Sequence, residues 1–125
     1  MRALPPFLAL LALAAADDLV TKGRIKVQLF AAPAFVSEVS VDAYHDQCLS
    51  LDNNLIDGRV QSLLVGGHDV ATVLRRDDYW NCRFFDNYDC IETDDCLTIP
   101  DGANNLASKG WGTRIKSLKC KNFET

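Results

Sequence analysis

The sequence predicts an all-β domain built from short antiparallel strands in a sandwich or barrel. Three observations predict it. Beyond the first sixteen residues helical periodicity is nearly absent, and short runs of alternating apolar and polar residues replace it. Turn-forming residues separate those runs at close intervals. Five cysteines in a chain of 125 residues supply covalent ties for a small core.

The elements follow in order. Residues 1–16, MRALPPFLALLALAAA, have one arginine near the start, an apolar stretch and three small residues before Asp17. That is the pattern of a secretory signal peptide. Its apolar run, Phe7 to Ala16, is too short to cross a bilayer. Cleavage after Ala16 leaves residues 17–125 as a single domain, large enough for one core and too small for two. The loss of Arg2 leaves 12 basic against 17 acidic residues. Such a chain repels nucleic-acid phosphates and anionic membranes, so the expected partner is an extracellular protein or surface target and the expected state a monomer.

Seven runs read as strands: IKVQLF (25–30), SEVSV (37–41), CLSL (48–51), RVQSLLV (59–65), DVATVL (69–74), CLTI (96–99) and RIKSLKC (114–120). Pro33, Asp52-Asn53-Asn54, Gly66-Gly67, Pro100-Asp101-Gly102 and Gly110 punctuate them. The segment ANNLASKG (103–110) has room for one helical turn between Gly102 and Gly110.

The cysteines are Cys48, Cys82, Cys90, Cys96 and Cys120. In a small secreted domain they form disulfides. Zinc wants closely spaced pairs, whereas five residues separate even Cys90 from Cys96, and only His45 and His68 add nitrogen ligands. An odd count leaves one thiol over.

An internal repeat carries the most information. CLSLDNNL (48–55) precedes GRVQSL (58–63), and CLTIPDGANNL (96–106) precedes GTRIKSL (112–118). Both copies run from Cys-Leu through Asn-Asn-Leu to Arg, a β-branched residue, one polar residue and Ser-Leu. The front halves match more loosely: Phe30 and Phe35 with Ser37 in the first, Leu74 and Tyr79 with Asn81 in the second. The chain thus divides into halves of about 25–65 and 69–120, neither able to bury a core alone. An aromatic, four residues, a second aromatic, a turn residue, and a closing Arg-Ile-x-Ser-Leu strand resemble the Greek-key motif of the βγ-crystallin superfamily. The resemblance implies two Greek-key motifs packed as an antiparallel β-sandwich. It departs from the family where Ser37 and Asn81 replace the glycine after the aromatic corner, and where Leu74 replaces an aromatic.

The same resemblance implies a calcium question. The family's ligand motif is two Asn/Asp residues, two variable ones, then Ser/Thr and Ser. The first half offers Asp57-Gly58-Arg59-Val60-Gln61-Ser62, in which Asp57 and Ser62 fit and the amide oxygen of Gln61 stands where a hydroxyl belongs. The second offers Gly112-Thr113-Arg114-Ile115-Lys116-Ser117, in which Lys116 brings an ammonium. Calcium requires hard oxygens, so the expectation is a weak Ca2+ site in the first half, none in the second, and no other cofactor or metal. The resemblance also implies that the third strand of each half pairs beside the fourth strand of the other. CLSL then lies against RIKSLKC and brings Cys48 to Cys120, with one further bridge among Cys82, Cys90 and Cys96. The alternative pairing is Cys96–Cys120.

Residues 77–101 hold eight acids, opposed by Arg83 alone and interleaved with Tyr79, Trp80, Phe84, Phe85 and Tyr88. Two readings stand: a pinned excursion whose aromatics pack back on the sandwich, or a binding surface for a cationic partner. Catalytic patterns are thin. His45-Asp46 and His68-Asp69 lack a nucleophile motif. A ribonuclease-like set of Glu38, His45, His68 and Arg59 depends on proximity that spacing does not show. No catalytic residues are therefore assigned. The sequence reading is a small secreted binding protein, of the toxin, effector or inhibitor type that the resemblance suggests. A calcium-stabilised structural protein and a small secreted hydrolase are the alternatives.

Overall fold

β1 (Arg24–Ala32) and β2 (Val36–Tyr44) form the first hairpin, in register from Arg24 opposite Tyr44 to Ala32 opposite Val36. A computed structural model describes residues 19–93 and 95–124; the proposed signal peptide lies outside them. β3 (Cys48–Ser50), β4 (Ser62–Val65), a short helix α1 (Val70–Leu74), β5 (Trp80–Phe85), β6 (Leu97–Ile99), β7 (Gly102–Ala103), a 3-10 turn (Leu106–Lys109) and β8 (Ser117–Asn122) complete the chain. The strands make two four-stranded antiparallel sheets, ordered β2-β1-β4-β7 and β3-β8-β5-β6.

That order is an exchange. Each sheet holds three strands from one half of the chain and the third strand of the other. CLSL indeed lies against the closing strand, with Cys48, Leu49 and Ser50 opposite Lys119, Leu118 and Ser117. The fold is an all-β sandwich of two Greek keys, and the period-two alternation of its strands makes the core. Ile25, Val27 and Leu29 of β1 and Leu63 and Val65 of β4 turn inward, as do Trp80, Cys82 and Phe84 of β5 and Leu118 and Cys120 of β8. Leu51, Ile56, Val60, Leu106, Trp111 and Ile115 plug the same core from the long connections.

Four expectations need correction. DVATVL is not a strand: Val70–Leu74 is helical, because the Asp69 carboxylate caps it by accepting the Thr72 N–H at 2.7 Å. Five residues are too few for a 3.6 period to separate itself from alternation. Val73 buries against Phe30 and Leu64, fixing the helix to the outer face of the first sheet. Second, Trp80–Phe85 is a central strand rather than part of an excursion. Third, β4 and β8 start at Ser62 and Ser117. The residues before them bond to loops instead, as when the Val60 carbonyl accepts the Thr113 N–H and that of Gln61 accepts the Leu106 N–H.

The fourth correction concerns the bridges. The disulfides are Cys48–Cys90 and Cys82–Cys120, and Cys96 is the free thiol. Cys48 sits opposite Lys119, one residue short of Cys120, so it faces outward while Cys120 faces the core. A one-residue offset puts a side chain on the other face of a sheet. Cys120 instead meets its direct cross-strand neighbour Cys82, with Cα atoms 4.0 Å apart. The helical turn expected within 103–110 is present, capped by Asn105 and ended by Gly110 at φ 76°.

Arg76 joins the two sheets at one end. Its guanidinium donates to the carbonyls of Val65, Pro100 and Trp80 and forks onto Asp78. Gly66 makes room for it, since a Cβ there would lie 2.7 Å from Arg76 Cδ, and its φ of +83° suits glycine.

Candidate functional site

The two hairpin corners hold most of the residues that the sequence singles out. In the first, the buried Ser62 hydroxyl donates to the Ala32 carbonyl at 2.7 Å and accepts the Phe35 N–H at 3.2 Å. This pins the β1–β2 turn down onto the sheet, with Ala34, Phe35 and Ser37 all at positive φ. Phe35 then meets Phe30 edge to face, ring centroids 5.5 Å apart. The second corner repeats the device. The Ser117 hydroxyl donates to the Asn87 carbonyl at 2.6 Å and accepts the Cys90 N–H at 3.2 Å, and Cys90 has a φ of 54°. Phe85 lies opposite Ser117 as Phe30 lies opposite Ser62.

The equivalent of Phe30 and Phe35 is therefore Phe85 and Cys90. The match to Leu74, Tyr79 and Asn81 is overturned, because Leu74 belongs to α1 and Asn81 to the middle of a sheet. A disulfide to Cys48 stands where the first corner has an aromatic ring.

The calcium-type residues are committed to other partners. Ser62 and Ser117 spend their hydroxyls on the turns. The Gln61 amide nitrogen donates to the Ala31 carbonyl at 3.3 Å. Asp57 reaches the opposite hairpin, where its carboxylate accepts the Tyr88 hydroxyl at 2.7 Å. Asp57 and Ser62 thus serve different corners. That bond, with the nearby carboxylates, raises the Tyr88 pKa above the usual tyrosine value. The Lys116 ammonium stands 5.4 Å from the Tyr88 ring centroid. One buried oxygen of Asp57, Oδ1, lacks a hydrogen-bond partner among the described residues. Among those residues no cluster of three or more His, Cys, Asp or Glu side chains suits a metal ion. As placed, the first donor set spends Ser62 on its turn and turns Asp57 to Tyr88, and the second carries the Lys116 ammonium.

The acidic segment folds back on the sandwich. Trp80, Phe84 and Phe85 are buried, and Tyr88 is held by Asp57, which leaves Tyr79 as its exposed aromatic. Four of its eight acids face internal cations. Asp78 pairs with Arg76, Glu92 with Arg83, and Asp86 and Asp95 with Arg114. Burial alone would raise the Asp78 pKa, but hydrogen bonds from Arg76 and the Trp80 N–H hold it below the usual carboxylate value. The Arg114 guanidinium is raised by its bonds to Asp95 and Asp86.

The ribonuclease-like set does not assemble. His68 Nδ1 meets Glu38 at 3.2 Å on an open surface. His45 lies elsewhere, its Nδ1 accepting the Asn122 N–H at 2.9 Å and its ring edge-on to Trp80. Neither histidine lines either of two surface concavities. One is an apolar groove of about 390 Å³ between α1, Phe35, Leu64 and Ala103. The other is a cleft of about 250 Å³ on the outer face of the second sheet. Sequence reasoning missed Arg76, Tyr88 and Cys90 as organisers, since their roles depend on strand register.

Exchanged third strands and serine-pinned hairpins define the class: this chain has the βγ-crystallin fold. Solved structures agree. It is similar to a domain representing the evolution of the eye-lens βγ-crystallin fold, at 14% identity and TM-score 0.57, covering 84% of this chain and 91% of that one. The N-terminal domain of Protein S matches at 10% identity and TM-score 0.54, covering 80% and 99%. A βγ-crystallin domain of the Abundant Perithecial Protein from Neurospora crassa, in its Ca2+-bound form, matches at 14% identity and TM-score 0.53, covering 85% and 96%. No protein-family model and no curated protein matches the sequence.

Proposed function

We propose that this is a secreted protein that acts outside the cell by binding, of the toxin, effector or inhibitor type, and not by catalysis. The observation that carries the reading is the pair of disulfides in so small a domain, which suits an oxidising compartment. One joins the two halves and the other staples the central strands of the second sheet, giving a rigid scaffold for a binding surface. The leader-like residues 1–16 support export. The scattered histidines support a non-catalytic role. The test is expression of the full chain in a secretory host. The expected product in the medium begins at Asp17, carries two disulfides and one titratable thiol at Cys96, and shows no turnover of RNA or model esters. Retention in the cell, or turnover abolished by His45→Ala or His68→Ala, would overturn the reading.

A calcium-stabilised structural role is the competing reading. The Ca2+-bound Neurospora domain supports it, and the commitments of Asp57 and Ser62 and the Lys116 ammonium oppose it. A ligand that binds only the folded state raises its stability. Melting temperatures in millimolar calcium and in chelator are expected to agree within about 2 °C; a rise of several degrees would favour the structural role.

A further inference from the structure

The outer face of the second sheet gathers positive charge on a chain whose net charge is −4. Alternation sends Cys82 and Phe84 of β5 and Leu118 and Cys120 of β8 into the core, so Asn81, Arg83, Lys119 and Lys121 point the other way. Register sets Arg83 opposite Lys119 and Asn81 opposite Lys121. Like charges facing each other across a sheet are destabilising unless something lies between them.

Among the described residues their counter-charges are incomplete. Arg83 pairs with Glu92 at 2.5 Å. Lys119 and Lys121 share one carboxylate, Asp46, at 3.8 and 4.0 Å, beyond hydrogen-bonding distance. Among the described residues, three cations thus meet two anions around the 250 Å³ cleft, which Thr98, Phe85 and Phe123 also line. Phe123 is 59% exposed, with the Lys121 ammonium 5.8 Å from its ring. Asn81 also lines the cleft, with its side-chain oxygen closed to solvent.

We propose that this cleft binds an acidic sugar, a saccharide unit bearing a carboxylate or a sulfate. The anion answers Lys119 and Lys121 with charge-assisted hydrogen bonds. The sugar's C–H face covers Phe123. A bare inorganic anion brings no apolar face for Phe123, and a glutamate side chain brings no ring to stack on it. The volume suits one residue of a chain rather than a drug-sized ligand.

The proposal rests on the binding reading above, but its test does not involve export. Titrate the disulfide-intact protein, observed by amide NMR at low salt, with glucuronic acid, glucose 6-sulfate, glucose, sodium sulfate and a glutamate-containing tripeptide. One or both acidic sugars are expected to give saturable shifts at Asn81, Arg83, Lys119 and Lys121, and the two arms separate carboxylate from sulfate. The double variant Lys119→Gln/Lys121→Gln, whose side chains are at the surface, is expected to weaken that binding at least tenfold while leaving the rest of the spectrum in place. Absence of saturable shifts with both sugars would overturn the proposal. So would equal affinity for free sulfate, glucose or the tripeptide, or undiminished affinity in the double variant.

Discussion

The two hairpin corners use one backbone device and close it by different chemistry. Ser62 and Ser117 each hold a turn by one donated and one accepted hydrogen bond. The first corner is completed by the Phe30–Phe35 ring contact, whereas the second is completed by a covalent bond from Cys90 to Cys48. An edge-to-face pair contributes about 0.5–1.5 kcal/mol beyond its area burial. A bridge closing a loop of this length contributes about 4 kcal/mol in the chain-entropy model. The second corner also carries Tyr88 and Asp57, for which the first has no counterpart. The halves of this molecule are therefore equivalent in backbone and unequal in what holds them.

The largest expected difference comes from the covalent closure. The double variant Cys48→Ala/Cys90→Ala is expected to lose about 3 kcal/mol, or on the order of 10–20 °C in melting temperature. Phe35→Ala, on its half-buried ring, is expected to cost about 1–2 kcal/mol. Denaturant melts of both, under non-reducing conditions, check the ranking; equal losses would break the comparison.

The serines come next. Ser62→Ala and Ser117→Ala each leave a turn carbonyl and a turn N–H without their partner, for about 1–3 kcal/mol each. With the bridge intact, Ser117→Ala is expected to allow less local opening than Ser62→Ala. Hydrogen exchange at the Phe35 and Cys90 amides reads this directly. Slower exchange at Phe35 in its variant than at Cys90 in the other would reverse the order.

The smallest effect is a pH dependence confined to the second corner. The folded Tyr88 pKa is raised above the unfolded value near 10. The stability it contributes is fully present below that unfolded value and is lost as pH rises through the folded one. Alkaline titration of tyrosinate absorbance is expected to show one of the three tyrosines ionising after the others. Tyr88→Phe removes that late step, and Asp57→Asn shifts it earlier; three coincident titrations would remove Tyr88 from the comparison.

These differences explain what the sequence could disclose. The alternating runs in β1, β2, β3 and β6 identify themselves because one buried face imposes a period of two. The closing Ser-Leu strands are legible because Ser62 and Ser117 do the same task in both halves. β5 hid among acids and aromatics whose flanks read as loop. The second corner hid because a cysteine replaced the ring that marks the first. Cys48–Cys90 was beyond reach for a stricter reason: strand pairing without the register cannot say which of Lys119 and Cys120 faces Cys48, and that offset decides the face. The cationic cleft depends on the same kind of knowledge, since Arg83 and Lys119 are far apart in sequence and adjacent only through β5–β8 pairing.

The order of the bridges has a consequence for how the protein is made. The pairs interleave along the chain, Cys48 with Cys90 and Cys82 with Cys120. A chain entering an oxidising compartment from its N-terminus presents Cys82 to Cys48 before Cys90 arrives. It presents Cys90 and Cys96 to Cys82 before Cys120 is synthesised. Oxidation in order of appearance therefore gives the wrong set, and the spare thiol of Cys96 is on hand to attack it. For a chain oxidised in that order on the proposed secretory route, reaching the native pairs calls for thiol–disulfide exchange, whether by an isomerase or by its own fifth cysteine.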